Sequence, residues 1–127
     1  MNYELLNGSN LAYIGDAYYE LCVRRHLIEK GITKNQELRK ISINYVSATA
    51  HKKIYESLSD KLTDAEHKIF NRGRNNAPRG YRKNVDKGAY VISSGLEAVI
   101  GYLYLLGSFD RLNTLIEEMF RIVESGD

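Results

Sequence analysis

Two acidic residues stand where acids are costly, and their neighbours limit what they could do. Asp16 lies in the run LAYIGDAYYELCVRRHL. Wound as an α-helix at ~100° per residue, this run puts Leu11, Ile14, Tyr18, Leu21 and Cys22 on one apolar face. Ala12, Tyr19, Val23 and Leu27 lie opposite, with Asp16 among them. Glu97 lies in GLEAVIGYLYLLG, where Ile92, Leu96, Val99, Ile100 and Leu103 form a stripe and Glu97 projects between Ser93, Gly101 and Tyr104. Helices apolar on nearly every side are expected to be central and buried. An isolated carboxylate there is unfavourable unless it is paired or bound to metal, and neither helix offers an inward lysine or arginine. Gly15 and Gly101, each close to one acid, would let neighbouring backbones approach. Two facing carboxylates suit a hard divalent cation such as magnesium, which keeps several waters and shares a phosphate. Periodicity alone leaves open the alternative that Asp16 and Glu97 are capped by hydroxyls, tyrosines or buried water. Glu20, one turn beyond Asp16, reads as a structural or supporting contact.

Other chemistries find little support. His26, His51 and His67 are scattered without ligand spacing and read as non-catalytic. There is no Ser-His-Asp arrangement, glycine-rich phosphate loop or zinc signature. The single cysteine, Cys22, sits in an apolar run and reads as core filler in a reduced, cytoplasmic setting. No charged and apolar leader opens the chain, and the apolar stretch from Ala98 to Leu106 is far short of the roughly 20 residues of a membrane span. A soluble, intracellular protein is expected.

The net charge of +2 conceals an uneven distribution. Arg72, Arg74, Arg79, Arg82, Lys83 and Lys87 fall in one window with a single acid, Asp86, leaving the rest of the chain slightly acidic. A concentrated basic segment on such a body is the footprint of a polyanion site. Arg72, Arg74, Arg79, Arg82 and Lys83 are the candidate phosphate contacts, and Lys34, Lys52 and Lys53 could extend the surface.

The elements that must position these groups read as helices throughout. With one proline in 127 residues, helices can run uninterrupted. A first helix is expected from a cap at Ser9 or Asn10 to about Glu29, with Gly31 as its left-handed exit. A second is expected from Thr33, with Gln36 or Glu37 completing a capping box, to about Asn44. A third runs from Ser47 to about Leu58. A fourth starts at Thr63, boxed by Glu66, and ends near Arg72–Gly73. The segment NNAPRGYRKNVDK loses periodicity and reads as a loop. A fifth helix is expected over Ala89–Leu106 and a sixth over about Phe109–Val123. The result is an all-α domain spanning residues 1–127 with a basic loop at about 72–87.

The residues around Asp16 resemble the signature helix of the ribonuclease III catalytic domain, with its glycine–aspartate pair. Those around Glu97 resemble that family's second catalytic helix, with its glutamate–alanine pair and following glycine. The segment RGRNN, Arg72 to Asn76, and the lack of an appended double-stranded-RNA-binding domain point to the short bacterial branch, Mini-ribonuclease III. The resemblance runs from about Leu11 to Phe120. It implies a helical endonuclease fold and magnesium-dependent hydrolysis of double-stranded RNA leaving 5′-phosphate and 3′-hydroxyl ends. Asp16 and Glu97 would be the catalytic and metal-binding residues. A homodimer with one site per subunit, maturation of precursor large-subunit (23S) ribosomal RNA, and a ribosomal protein on that substrate are further implications. Where longer members carry additional acids, this chain has Ser9, Ala12 and Ser94. The competing reading is a catalytically inert RNA-binding or ribosome-associated scaffold dimer on the same fold, against which the intact Asp16 and Glu97 argue.

Overall fold

A computed structural model describes residues 1–77 and 86–126, which form six α-helices and no strand among the described residues. They are α1 (Gly8–Glu29), α2 (Asn35–Val46), α3 (Ala48–Leu58), α4 (Asp64–Asn75), α5 (Lys87–Leu106) and α6 (Phe109–Glu124).

Local capping chemistry explains most boundaries. α1 begins earlier than Ser9 because Asn7 is the cap, its side-chain oxygen accepting from the Asn10 amide at 2.9 Å. Gly31, at φ +92°, supplies the expected left-handed exit. The box expected at Thr33 is not formed: α2 starts at Asn35 behind Lys34, which makes no side-chain cap. α2 then continues to Val46, because Ser47 is the extended residue that ends it and also caps α3 through the Ala50 amide. Thr63 and Glu66 complete the predicted box at α4. Asp86 caps α5 through the Gly88 and Ala89 amides, which moves that start two residues ahead of Ala89.

α5 is the centre of the bundle, packed against α1, α3, α4 and α6. Its Leu96, Val99, Ile100 and Leu103 meet Leu11, Tyr19, Val23 and Leu27 of α1, Ile54 and Leu58 of α3, Phe70 of α4, and Leu112, Leu115 and Met119 of α6 in one core. At 20 residues α5 is long and apolar enough to cross a bilayer by length and composition, more than the stretch from Ala98 suggested. Its apolar surface is instead covered by the surrounding helices. α1 departs from expectation. Only the side bearing Leu11, Gly15, Tyr19, Val23 and Leu27 is buried, while Tyr13, Leu21 and Ile28 are exposed at 86%, 63% and 55%. Both faces of α1 are apolar, but a single chain covers one.

A candidate active site where two helices cross

The site is built by the absence of two side chains. A Cβ on Gly15 would sit 1.8 Å from the Glu97 carbonyl oxygen, and one on Gly101 would sit 1.9 Å from that of Leu11. α1 and α5 therefore cross backbone against backbone, as only glycine permits. Asp16 and Glu97, each near one of these glycines, are brought to the same side of the crossing.

They meet in a cleft of about 280 Å³ lined by Ser9, Ala12, Tyr13 and Asp16 from α1 and by Tyr90, Ser93, Ser94 and Glu97 from α5. Asp16 is exposed at the mouth and Glu97 is half-buried, which corrects the expectation that both acids are enclosed. The reason is the uncovered side of α1. The two carboxyl groups face each other closely enough to interact. Burial pushes the Glu97 carboxyl up to about 9, and a hydrogen bond donated to the Asp16 carboxylate, the charge of Asp16 and that of Glu20 push the same way. No cation contributes to that balance, so Glu97 keeps its proton. Among the described residues no larger cluster of histidine, cysteine and acidic groups arranged to hold a metal is formed. Glu20 is tied to Arg24 at 3.3 Å.

Besides Ala12, Tyr13 and Tyr90, the lining holds three serines, and two of these have their protons engaged elsewhere. Ser9 donates its hydroxyl proton to the Asn7 side chain at 2.8 Å, and Ser94 donates to the Gly73 carbonyl at 3.0 Å. Both serines thus turn lone pairs rather than protons to the cleft. Two close carboxylates among hydroxyl acceptors fit a hydrated hard cation, whose waters need acceptors.

The basic segment starts and ends beside this cleft. Asn76 accepts from the Gly8 amide at 3.0 Å, Arg72 donates to the Leu6 carbonyl at 3.3 Å, and Gly73 lies against Ser94 and Ala98. At the other end Asp86 caps the helix that carries Tyr90, and pairs with Lys52 at 3.8 Å. Arg74 is exposed, whereas Arg72 is half-buried and partly engaged in holding the N-terminal segment. Arg79, Arg82 and Lys83 lie outside the described residues.

His26 is remote, stacked on Phe120 and bonded to Glu124 at the far end of α1. His51 is not. It is 1% exposed, its Nδ1 lies 2.6 Å from the Ser93 hydroxyl, and it feels the charge of Asp16. Burial pushes the ring down to about 4, against Asp16 and the Tyr45 carbonyl, so it is neutral at ordinary pH. Ser93 and His51 were missed as a pair by sequence reasoning. The available signal was a histidine on the apolar stripe that Ile54 and Leu58 continue along α3.

Residues 9–108 match the ribonuclease III domain family. The chain is similar to proteins named Mini-ribonuclease 3. It is 40% identical to that of Symbiobacterium thermophilum over 91% of this chain and 89% of the relative. For Streptococcus pneumoniae the figures are 40%, 94% and 95%, and for Brevibacillus brevis 41%, 94% and 90%. In three dimensions it is similar to a crystal structure of a protein from Fusobacterium nucleatum, with a TM-score of 0.83, 26% identity, and coverage of 92% of this chain and 93% of that one.

Proposed function

The chain belongs to the ribonuclease III family, in its short Mini-ribonuclease 3 branch, and on that premise we propose that it is a magnesium-dependent endoribonuclease cutting double-stranded RNA at the Asp16–Glu97 cleft. The observation that carries this reading is the glycine-mediated crossing of α1 and α5, which presses two carboxylates together with no protein cation to offset them.

Asp16 and Glu97 would hold the ion. Magnesium, when bound, polarises the scissile phosphate and lowers the pKa of a coordinated water. Glu97 would lose the proton that burial leaves on it to serve as an anionic ligand, and Ser9 and Ser94 offer acceptors to surrounding water. The basic segment, with Arg74 exposed at its base, holds the sugar–phosphate strands. Duplex RNA is read by shape through phosphates and 2′-hydroxyls, so a charged segment beside the cleft suits it without base-specific contacts.

The uncovered stripe of α1 supports a homodimer with one cleft per subunit and one cut per strand. Precursor 23S ribosomal RNA, with a ribosomal protein bound to it, is the proposed cytoplasmic substrate. The test is cleavage of a duplex RNA by the purified protein with and without magnesium, beside a single-stranded control. Metal-dependent cutting of the duplex is expected, leaving 5′-phosphate and 3′-hydroxyl ends. Binding without cutting would instead identify the inert scaffold.

A further inference from the structure

The third serine of the cleft differs from the other two in what holds its proton. A serine within a helix can satisfy its hydroxyl on the carbonyl four residues back. Ser93 instead meets Nδ1 of His51, a buried imidazole delivered by α3. The other ring nitrogen, Nε2, is buried with no hydrogen-bond partner among the described residues. A purely structural bridge between α3 and α5 would be better served by an apolar pair, which leaves no orphaned polar atom.

The ring offers two tautomers. The Tyr45 carbonyl, which accepts from the Tyr19 hydroxyl at 2.9 Å, and the charge of Asp16 both favour a proton on the imidazole. A neutral imidazole carries one proton. With that proton on Nε2, Nδ1 presents its lone pair to the Ser93 hydroxyl. In that tautomer Nδ1 is the acceptor and Ser93 the donor, and Ser93, which lines the cleft, turns only lone pairs to it.

We propose that Ser93 is a substrate-positioning residue whose oxygen, with its proton held by His51, accepts a hydrogen bond from a hydroxyl donor in the cleft, a ribose 2′-hydroxyl or the attacking water. This rests on reading the Asp16–Glu97 cleft as the cleavage site. His51 acts through Ser93 and is a positioning residue itself.

The experiment compares the parent with Ser93→Ala, His51→Leu and His51→Asn. Single-turnover cleavage of a duplex RNA is measured beside affinity for the same duplex without divalent cation, and melting confirms folding. Loss of one neutral hydrogen bond predicts cleavage about tenfold slower in Ser93→Ala, with a smaller loss of duplex affinity, which phosphate contacts dominate. His51→Leu, which frees the serine hydroxyl to rotate, is expected to behave alike. His51→Asn, whose amide oxygen can replace Nδ1 as acceptor, is expected to recover most of the rate. Duplexes carrying single 2′-deoxy sugars beside the scissile phosphate identify the donor. A deoxy sugar that slows the parent but not Ser93→Ala assigns the ribose, and one that slows both equally assigns the water. Ser93→Ala cutting at the parental rate, or His51→Asn no faster than His51→Leu, overturns the proposal while the cleavage reading stands. A parent that cuts no duplex overturns both.

Discussion

Glu97 keeps a proton at a pH where an exposed glutamate has lost it, and stability should reveal this. Its carboxyl rises from 4.5 to about 9 on folding. A raised folded value stabilises fully below 4.5, and that contribution is lost as pH climbs through the folded value. Without divalent cation, Glu97→Gln should therefore match or exceed the parent at pH 8, by roughly 1–2 kcal/mol after allowing for water at the cleft mouth. The difference should shrink toward pH 5, and melting curves across that range check it. Magnesium should reverse the order by raising the melting temperature of the parent alone, since linkage needs a ligand site. Asp16→Asn and Glu97→Gln should each slow cleavage by more than ~100-fold, because an amide keeps the shape but removes the anionic ligand. A variant that still cuts would take its residue out of the mechanism. Both acids were legible because a charge inside an apolar period is conspicuous. The exposure of Asp16 was not, because periodicity reports which face is apolar and not what covers it. His51 escaped because a buried histidine differs from its apolar neighbours only in its partner, and that partner lies on another helix.

At the scale of elements, the crossing of α1 and α5 is the most demanding contact. Gly15→Ala would drive a methyl into the Glu97 backbone, so the helices must separate. The expected cost is about 3 kcal/mol or more, the upper range for overpacking. Cleavage should fall even where the protein still folds, since the two carboxylates move apart. A fully active, fully stable Gly15→Ala would show that the helices do not need this distance. The Thr63 box makes a second test. Glu66 is 3% exposed and takes two hydrogen bonds from Arg111 of α6 at 2.7 and 2.8 Å. Burial alone would raise its carboxyl, but the Arg111 donors and the Thr63 amide hold it low. Its contribution is present above 4.5 and lost on acidification below that. Arg111→Met strands a buried charge and should cost ~3 kcal/mol in denaturant unfolding at pH 7. Caps such as Thr63, Ser47 and Gly31 were readable because their chemistry lies within three or four residues. Arg111 was not, since Glu66 and its partner lie on separate helices, 45 residues apart in the chain. Thr33 failed as a cap although its local pattern was acceptable, because the chain leaves α1 extended as far as Lys34.

For the whole molecule, charge and apolar surface divide the work of assembly. Alanine at Arg74, Arg79, Arg82 and Lys83 should weaken binding to every duplex and reduce the salt slope by ~0.9 for each phosphate no longer neutralised. Arg72→Ala should also lower stability, because its guanidinium holds the Leu6 carbonyl. Affinity across a salt series and melting read the two effects, and an unchanged slope would show that the segment does not touch the RNA backbone. The uncovered side of α1 bears on assembly. Tyr13, Ala17, Leu21 and Ile28 fall within one narrow sector at ~100° per residue, and all four are exposed. Such a stripe on a helix whose other side is core is expected to meet its own copy about a two-fold axis, burying more than ~1,000 Å². Sedimentation at micromolar concentration should give about twice the chain mass. Leu21→Glu with Ile28→Glu places like charges at the twin surface and should yield a folded monomer, because neither residue belongs to the core of one chain. With one cleft per chain, that monomer should nick duplex RNA rather than cut both strands together. A variant that sediments as a monomer yet still severs both strands in one encounter would show that a single chain handles both, and would remove the dimer from the mechanism.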